Sequence, residues 1–60
     1  MGERLLSEAE VAAYLNVSRD TMRRWRREKS GPPYLMAGDR PRYRKRDVDE
    51  WLERQAREER

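Results

Sequence analysis

Two helix-capping serines, Ser7 and Ser18, constrain this chain more than any other feature. Ser7-Glu8-Ala9-Glu10 has the form of a capping box, in which Ser7 caps the helix and Glu10 reaches back. Val11, Ala12 and Leu15 follow at spacings that share one helical face, so a first helix is predicted over residues 8–15. Leu6, just before the cap, is placed to staple onto Val11. Asn16 tolerates the left-handed conformation that ends a helix. Val17 is a lone apolar residue suited to plug the gap before the second cap, Ser18. A helix, a three-residue turn and a second helix make a helix-turn-helix.

The second helix is predicted to run to about Lys29, because Ser30-Gly31-Pro32-Pro33 cannot continue it. Met22, Trp25 and the Thr21 side face the core on a helical wheel. Asp20, Arg23, Arg24 and Arg27 lie broadly opposite, and Arg19 and Arg26 flank the boundary. A short helix with one apolar stripe and this much positive charge is a candidate to enter a DNA groove. The plainer reading is a solvated face laced by Asp20–Arg24 and Arg24–Glu28 pairs. Two acids, however, cannot neutralise six basic groups between Ser18 and Lys29.

Beyond the prolines, Tyr34-Leu35-Met36-Ala37 reads as a short strand and Gly38-Asp39-Arg40-Pro41 as turn chemistry. Arg42-Tyr43-Arg44-Lys45 alternates and reads as the returning strand of a hairpin, or wing. Tyr43 is expected to pack inward while Arg42 and Arg44 point out. Such a wing would lay its tip on the phosphate backbone or in the minor groove. Charge that guards a strand edge against aggregation is the alternative, but Arg40, Arg42 and Arg44 exceed what that needs.

A last helix is expected from near Arg46-Asp47, with Asp47, Asp49 and Glu50 in its first turn, where the macrodipole favours acids. Val48, Trp51 and Leu52 form its apolar stripe, Trp51 serving the core and not base stacking. The remaining ERQAREER lacks a large apolar residue and any heptad seam. The ordered part is therefore expected over about residues 5–53, with 54–60 a frayed tail.

Sixty residues make one small domain, residues 1–60, with a modest core. That core is expected from Leu5, Leu6, Val11, Ala12, Leu15 and Val17 in the first half of the chain. Met22, Trp25, Tyr34, Leu35, Met36, Tyr43, Val48, Trp51 and Leu52 would complete it. The fold class is mainly α with a small β-hairpin, a winged helix-turn-helix. Charged residues are 45% of the chain, a level that alone would suggest disorder, but the apolar residues are periodic and bounded by caps. With neither cysteine nor histidine, disulfides and the usual zinc sites are excluded, and no cofactor or metal is expected. Ser7 and Ser18 are explained as caps, and Asp47, Asp49 and Glu50 as helix-start residues. Nothing poised for catalysis remains, and no glycine motif cradles a phosphate, so an enzyme is not expected. No apolar run is long enough for a signal peptide or membrane span, and an intracellular protein without a membrane partner is the default.

Net charge is +3, and its distribution is more informative than its size. Residues 1–17 carry −2, residues 18–37 and 38–46 carry +4 each, and residues 47–60 carry −3. A basic middle between acidic ends is the electrostatic footprint of a nucleic-acid binder.

The chain resembles the small winged-helix DNA-binding domains of the excisionase and AlpA type, which are also similar to the DNA-binding head of MerR-type regulators. Leu6-Ser7-Glu8-Ala9-Glu10-Val11-Ala12-Ala13-Tyr14-Leu15-Asn16-Val17-Ser18 and Thr21-Met22-Arg23-Arg24-Trp25 carry the resemblance. Gly31-Pro32-Pro33-Tyr34, Gly38 and Arg42-Tyr43-Arg44-Lys45-Arg46-Asp47-Val48-Asp49-Glu50-Trp51-Leu52 continue it, so that it covers residues 5–53. It implies a major-groove helix and a groove- or phosphate-contacting wing. Carried onto this chain, Ser18, Arg19, Asp20, Arg23, Arg24 and Arg27 would face double-stranded DNA from the second helix. Arg40, Arg42 and Arg44 would act from the wing. Asn16 stands where the family often has glycine, which asparagine can mimic. A full MerR-type regulator would add a dimerisation helix and an effector domain, so the resemblance favours a stand-alone binder.

The resulting expectation is sequence-specific DNA binding, with an arginine reading guanine and Asp20 accepting from cytosine. Within that class, the resemblance implies a phage or mobile-element excisionase in the bacterial cytoplasm. Such a protein bends DNA, assists an integrase and associates cooperatively with further copies on tandem sites. An AlpA- or MerR-like transcriptional regulator is the alternative. A basic protein-interaction module docking on an acidic partner belongs to a different class.

Overall fold

A computed structural model describes residues 4–58. Their order is β1 (Leu5–Ser7), α1 (Glu8–Leu15), α2 (Arg19–Glu28), β2 (Leu35–Ala37), β3 (Arg40–Arg44) and α3 (Lys45–Glu58). The three strands form one antiparallel sheet in the order β1-β3-β2. Three helices with a hairpin wing on a small sheet make a winged helix-turn-helix.

Both helices of the helix-turn-helix begin and end on side-chain and backbone bonds that the local sequence supplies. Ser7 Oγ accepts from the Glu10 amide at 3.1 Å, and Glu10 Oε1 accepts from the Ser7 amide at 2.8 Å, completing the capping box. That bond from the Ser7 amide holds the Glu10 carboxyl below its usual range. Asn16 ends α1 at φ 61°. The Val17 amide then donates to Ala12 O at 2.9 Å and the Asn16 amide to Ala13 O at 3.2 Å, the bond pair of a Schellman motif. Val17 thereby lands against the core. Ser18 Oγ caps α2 by accepting from the Thr21 amide at 3.1 Å. Lys29 closes α2 in the left-handed region at φ 58°, again with a Schellman pair to Trp25 O and Arg26 O.

Five side chains are buried to 3% exposure or less: Val11, Ala12, Met22, Tyr43 and Val48. They come from α1, α2, β3 and α3, so every helix and the central strand meet at one point. Full burial of a Val or Met side chain is worth about 1.5–3 kcal/mol each. Leu6, Leu15, Val17 and Trp25 pack around this cluster. The Trp25 and Trp51 rings meet at 5.3 Å between centroids and 55° tilt, tying α2 to α3. Gly31 permits the chain to turn away beneath Trp25, because a Cβ there would lie 2.9 Å from the Trp25 Cβ.

Several sequence expectations are corrected. Beyond the expected two-strand hairpin, Leu5–Ser7 form a third strand whose Leu5, Leu6 and Ser7 pair with Arg44, Tyr43 and Arg42. Three residues are too few to show strand alternation, and the partner lies far along the chain. The wing turn is only Gly38-Asp39, with Gly38 at φ 68°, so Arg40 and Pro41 belong to β3. Pro41 lies beyond the end of β1, where β3 has a neighbour on one side only and a missing N–H is tolerated. Lys45, assigned to the strand, is the first residue of α3, which leaves only Asp47 among the acids in the first turn. Helical geometry continues to Glu58, through the described part of the stretch expected as a frayed tail, and ERQAR is made of good helix formers. Residues 59–60 of the expected frayed tail lie outside the described residues. Tyr34, Met36 and Leu52 are exposed and not core, since the helices do not extend over the wing or over the outer side of α3.

Candidate nucleic-acid interface

Helix α2 presents two chemically distinct sides. Met22 is buried and Thr21, Trp25 and Arg26 are half-buried on the inner side. Asp20, Arg23, Arg24 and Arg27 are exposed on the outer side, as their spacing predicts, and Ser18 and Arg19 are exposed at the start. Arg23 Nη2 donates to Asp20 Oδ1 at 2.7 Å, an i,i+3 pair that stands in place of the Asp20–Arg24 and Arg24–Glu28 pairs of the plainer, solvated-face reading. Among the described residues, Arg19, Arg24 and Arg27 have no ion-pair or hydrogen-bond partner for their guanidinium groups.

Arg26 is the exception on this helix. Its Nε donates to Glu8 Oε2 at 2.8 Å, and the side chains are only 28% and 13% exposed. This bond raises the affinity of Arg26 for its proton above the ordinary arginine value. The pair joins the start of α1 to the later part of α2 and withdraws Arg26 from the outer face. A long-range pair of this kind leaves no mark in local spacing, so the sequence shows only that Arg26 lies at the boundary.

Strand β3 carries Arg40, Arg42 and Arg44 on the face opposite Tyr43. Burial of Tyr43 pushes its hydroxyl toward the protonated form, in keeping with a core role. The three arginines are held differently. Arg40 is exposed, and among the described residues it has no ion-pair partner. Arg42 is half-buried between Ser7 on β1 and Leu35 on β2, and its Nη1 donates to Pro41 O at 2.9 Å. Arg44 is 3.8 Å from Asp47 of α3.

The N-terminal end of α2 and the wing share a cleft of about 460 Å³, lined by Arg19 from the helix and Arg40 and Arg42 from the strand. Ser7 of β1, Glu8 and Ala9 of α1, and Asp39 and Pro41 of the wing complete its lining. The fold therefore brings Arg19, Arg40 and Arg42 together, although sequence spacing shows no link between them. It leaves Arg44 outside this cleft, at the α3 end of the strand. The cleft gathers three arginines from two elements against two acids, Asp39 and the Glu8 that Arg26 already pairs, which leaves an excess of positive charge suited to phosphate oxygens.

A family model described as a helix-turn-helix domain matches residues 5–56, nearly the whole chain. The protein belongs to this helix-turn-helix domain family. Neither a curated protein nor a solved structure gives a significant match. The matched span of the helix-turn-helix domain contains all nine residues that sequence reading assigns to DNA, from Ser18 to Arg44. Membership supports DNA as the binding partner. Among the described residues, no helix is long and apolar enough to cross a membrane.

Proposed function

We propose that this helix-turn-helix protein binds double-stranded DNA sequence-specifically, with α2 in the major groove and the wing on phosphates or in the minor groove. The observation that carries this reading is the free, exposed pair Arg24 and Arg27 on the outer side of α2, continued through Arg19 to Arg40 of the wing. An arginine in the groove bonds guanine in bidentate fashion, and Asp20 accepts from cytosine. Ser18, Arg23, Arg42 and Arg44 complete the contact set. Within this reading, the protein acts as an excisionase: it does no chemistry, bends its site, associates with further copies and assists an integrase. Two basic surfaces on different elements suit this role, because phosphate contacts from each offset the energy of deforming the duplex. A promoter-bound regulator would use the same surface.

Sites selected from a random pool, followed by mobility-shift titration of selected against random DNA at two salt concentrations, test the binding claim. Selected sites should bind tighter, with affinity falling steeply as salt rises. Equal binding to every sequence would leave a basic protein-interaction module as the better description. If Arg23→Ala and Arg24→Ala both leave binding unchanged, the groove assignment is wrong. A circularly permuted set of fragments reports bending. Whether an integrase and an attachment site are encoded beside this protein, and whether adding the protein drives excision by that integrase, separates excisionase from regulator.

A further inference from the structure

A second cleft, of about 310 Å³, opens where α2 ends and the chain turns toward the wing. Trp25, Tyr34 and Tyr43 supply three aromatic walls, and Tyr34 leans on Tyr43 at 6.0 Å between ring centroids. Gly31, Pro32 and Pro33 form the rest of the apolar lining. Its only charged residues are Arg26 and Lys29, and no acid lines it. None of the nine residues assigned to DNA takes part.

Lys29 is the informative residue. It occupies the left-handed position that closes α2, at φ 58°, where glycine or asparagine is the ordinary occupant. The chain accepts a left-handed non-glycine residue there, and that residue lines the cleft and carries a positive charge. Arg26 adds a second cation, with Nε fixed by Glu8 and, among the described residues, no protein partner at its terminal nitrogens. Aromatic walls with one cation free among the described residues, Lys29, and a second, Arg26, already paired with Glu8, favour an aromatic ligand that carries an anionic group. Pockets that hold small ligands are lined in this way, mostly apolar with a few placed polar groups.

We propose that this cleft binds a small planar aromatic anion, such as an aromatic carboxylate, independently of the DNA-binding surface. The ring would lie against Trp25 and Tyr34, and its carboxylate would meet Lys29 and Arg26. Amide spectra of the intact protein recorded during titration with indole-3-acetate test this, with uncharged indole and acetate as controls. Saturable shifts at Lys29, Gly31 and Tyr34 are expected for indole-3-acetate alone. Lys29→Gly keeps the helix end, because glycine adopts the same conformation, and should weaken the probe by about tenfold or more through loss of a charged hydrogen bond. Tyr34→Ala should remove probe binding while DNA binding without the probe is retained. The proposal is overturned by indole binding as tightly as indole-3-acetate, or by Lys29→Gly binding the probe undiminished. Shifts centred on the Arg19–Arg40 cleft, or no shifts at all, would also overturn it.

Discussion

The outer side of α2 and the outer face of β3 carry the same residue type under different restraints. On α2, Arg24 and Arg27 are exposed and unpaired among the described residues, and Arg23 is held only by its helical neighbour Asp20. On β3, Arg42 is half-buried between two strands and bonded to its own chain, and Arg44 is near Asp47 of α3. Only Arg40, beside the two-residue turn, is comparably free. A free arginine can adjust its fork to a base edge, whereas a restrained one offers fixed charge. Under the proposed DNA-binding function, this difference would give sequence reading to α2 and placement on the backbone to the wing.

The most severe way to break this comparison is to remove what both surfaces share. Met22 is fully buried where α2 meets the rest of the core. Met22→Ala should cost about 2–5 kcal/mol. Total stability for a domain of this size is about 3–9 kcal/mol, so much of the population would unfold. Urea unfolding followed by circular dichroism should show the loss, with α2 and wing failing together. Separate transitions would mean that the two surfaces do not share one core.

Next in size is the contrast itself. Arg24→Ala should cost about 1–3 kcal/mol at the selected site and relax preference at one base position. Arg40→Ala should weaken selected and random DNA alike and lower the salt slope by about one unit. Titrations of both variants on both DNAs check this. An Arg40 variant that changes base preference would move sequence reading into the wing.

A smaller effect is confined to the wing turn. Gly38 is left-handed at φ 68°, with nothing within 4 Å of where a Cβ would stand. Gly38→Ala therefore meets no clash and should cost about 1 kcal/mol through the backbone alone. The melting temperature should fall while Arg24-dependent base preference persists.

The two regions also differ in how much of them the sequence discloses. The limits of α1 and α2 follow from Ser7, Glu10, Asn16, Ser18 and the Pro32-Pro33 break, because caps act within a few residues. The outward placement of Asp20, Arg23, Arg24 and Arg27 follows from the position of Met22 and Trp25. The sheet is another matter. The partner of Leu6 is Tyr43, and no local pattern announces it. For the same reason, the cleft shared by Arg19 and Arg40 and the capture of Arg26 by Glu8 emerge only once the chain has folded back. Local chemistry fixes which arginines α2 turns outward; long-range pairing fixes which of the others remain free.

Acid should act on the capped end of α1 while leaving the arginines of both surfaces charged. Glu10 sits below its ordinary value of 4.5, chiefly through its bond from the Ser7 amide. A carboxyl lowered on folding contributes stability above that ordinary value and loses it as pH falls through the folded value. Asp49 behaves in the same sense, lowered from 3.8 by the hydrogen bond from Tyr14 and then by Lys45. Urea midpoints taken from neutral pH down to about pH 3 should decline, and Glu10→Gln should flatten part of that slope. An unchanged slope in the variant would show that Glu10 contributes nothing to the loss of stability in acid.

The smallest effect on stability sharpens the comparison most. Asp20 and Arg23 are both well exposed, so their 2.7 Å pair should contribute no more than about 0.5 kcal/mol to folding. Asp20→Ala should leave the unfolding midpoint almost unchanged. On DNA its consequence is larger, because it removes one of the two exposed acids of α2, the other being Glu28 at the helix end, and leaves Arg23 as free as Arg24. Affinity for random DNA should rise by a few-fold through the lost repulsion of phosphates, while the margin for the selected site shrinks. Asp20 would then act as a brake on indiscriminate binding, whether or not it accepts from a cytosine. If both affinities stay as they were, Asp20 lies outside the contact region and α2 enters the groove by another side.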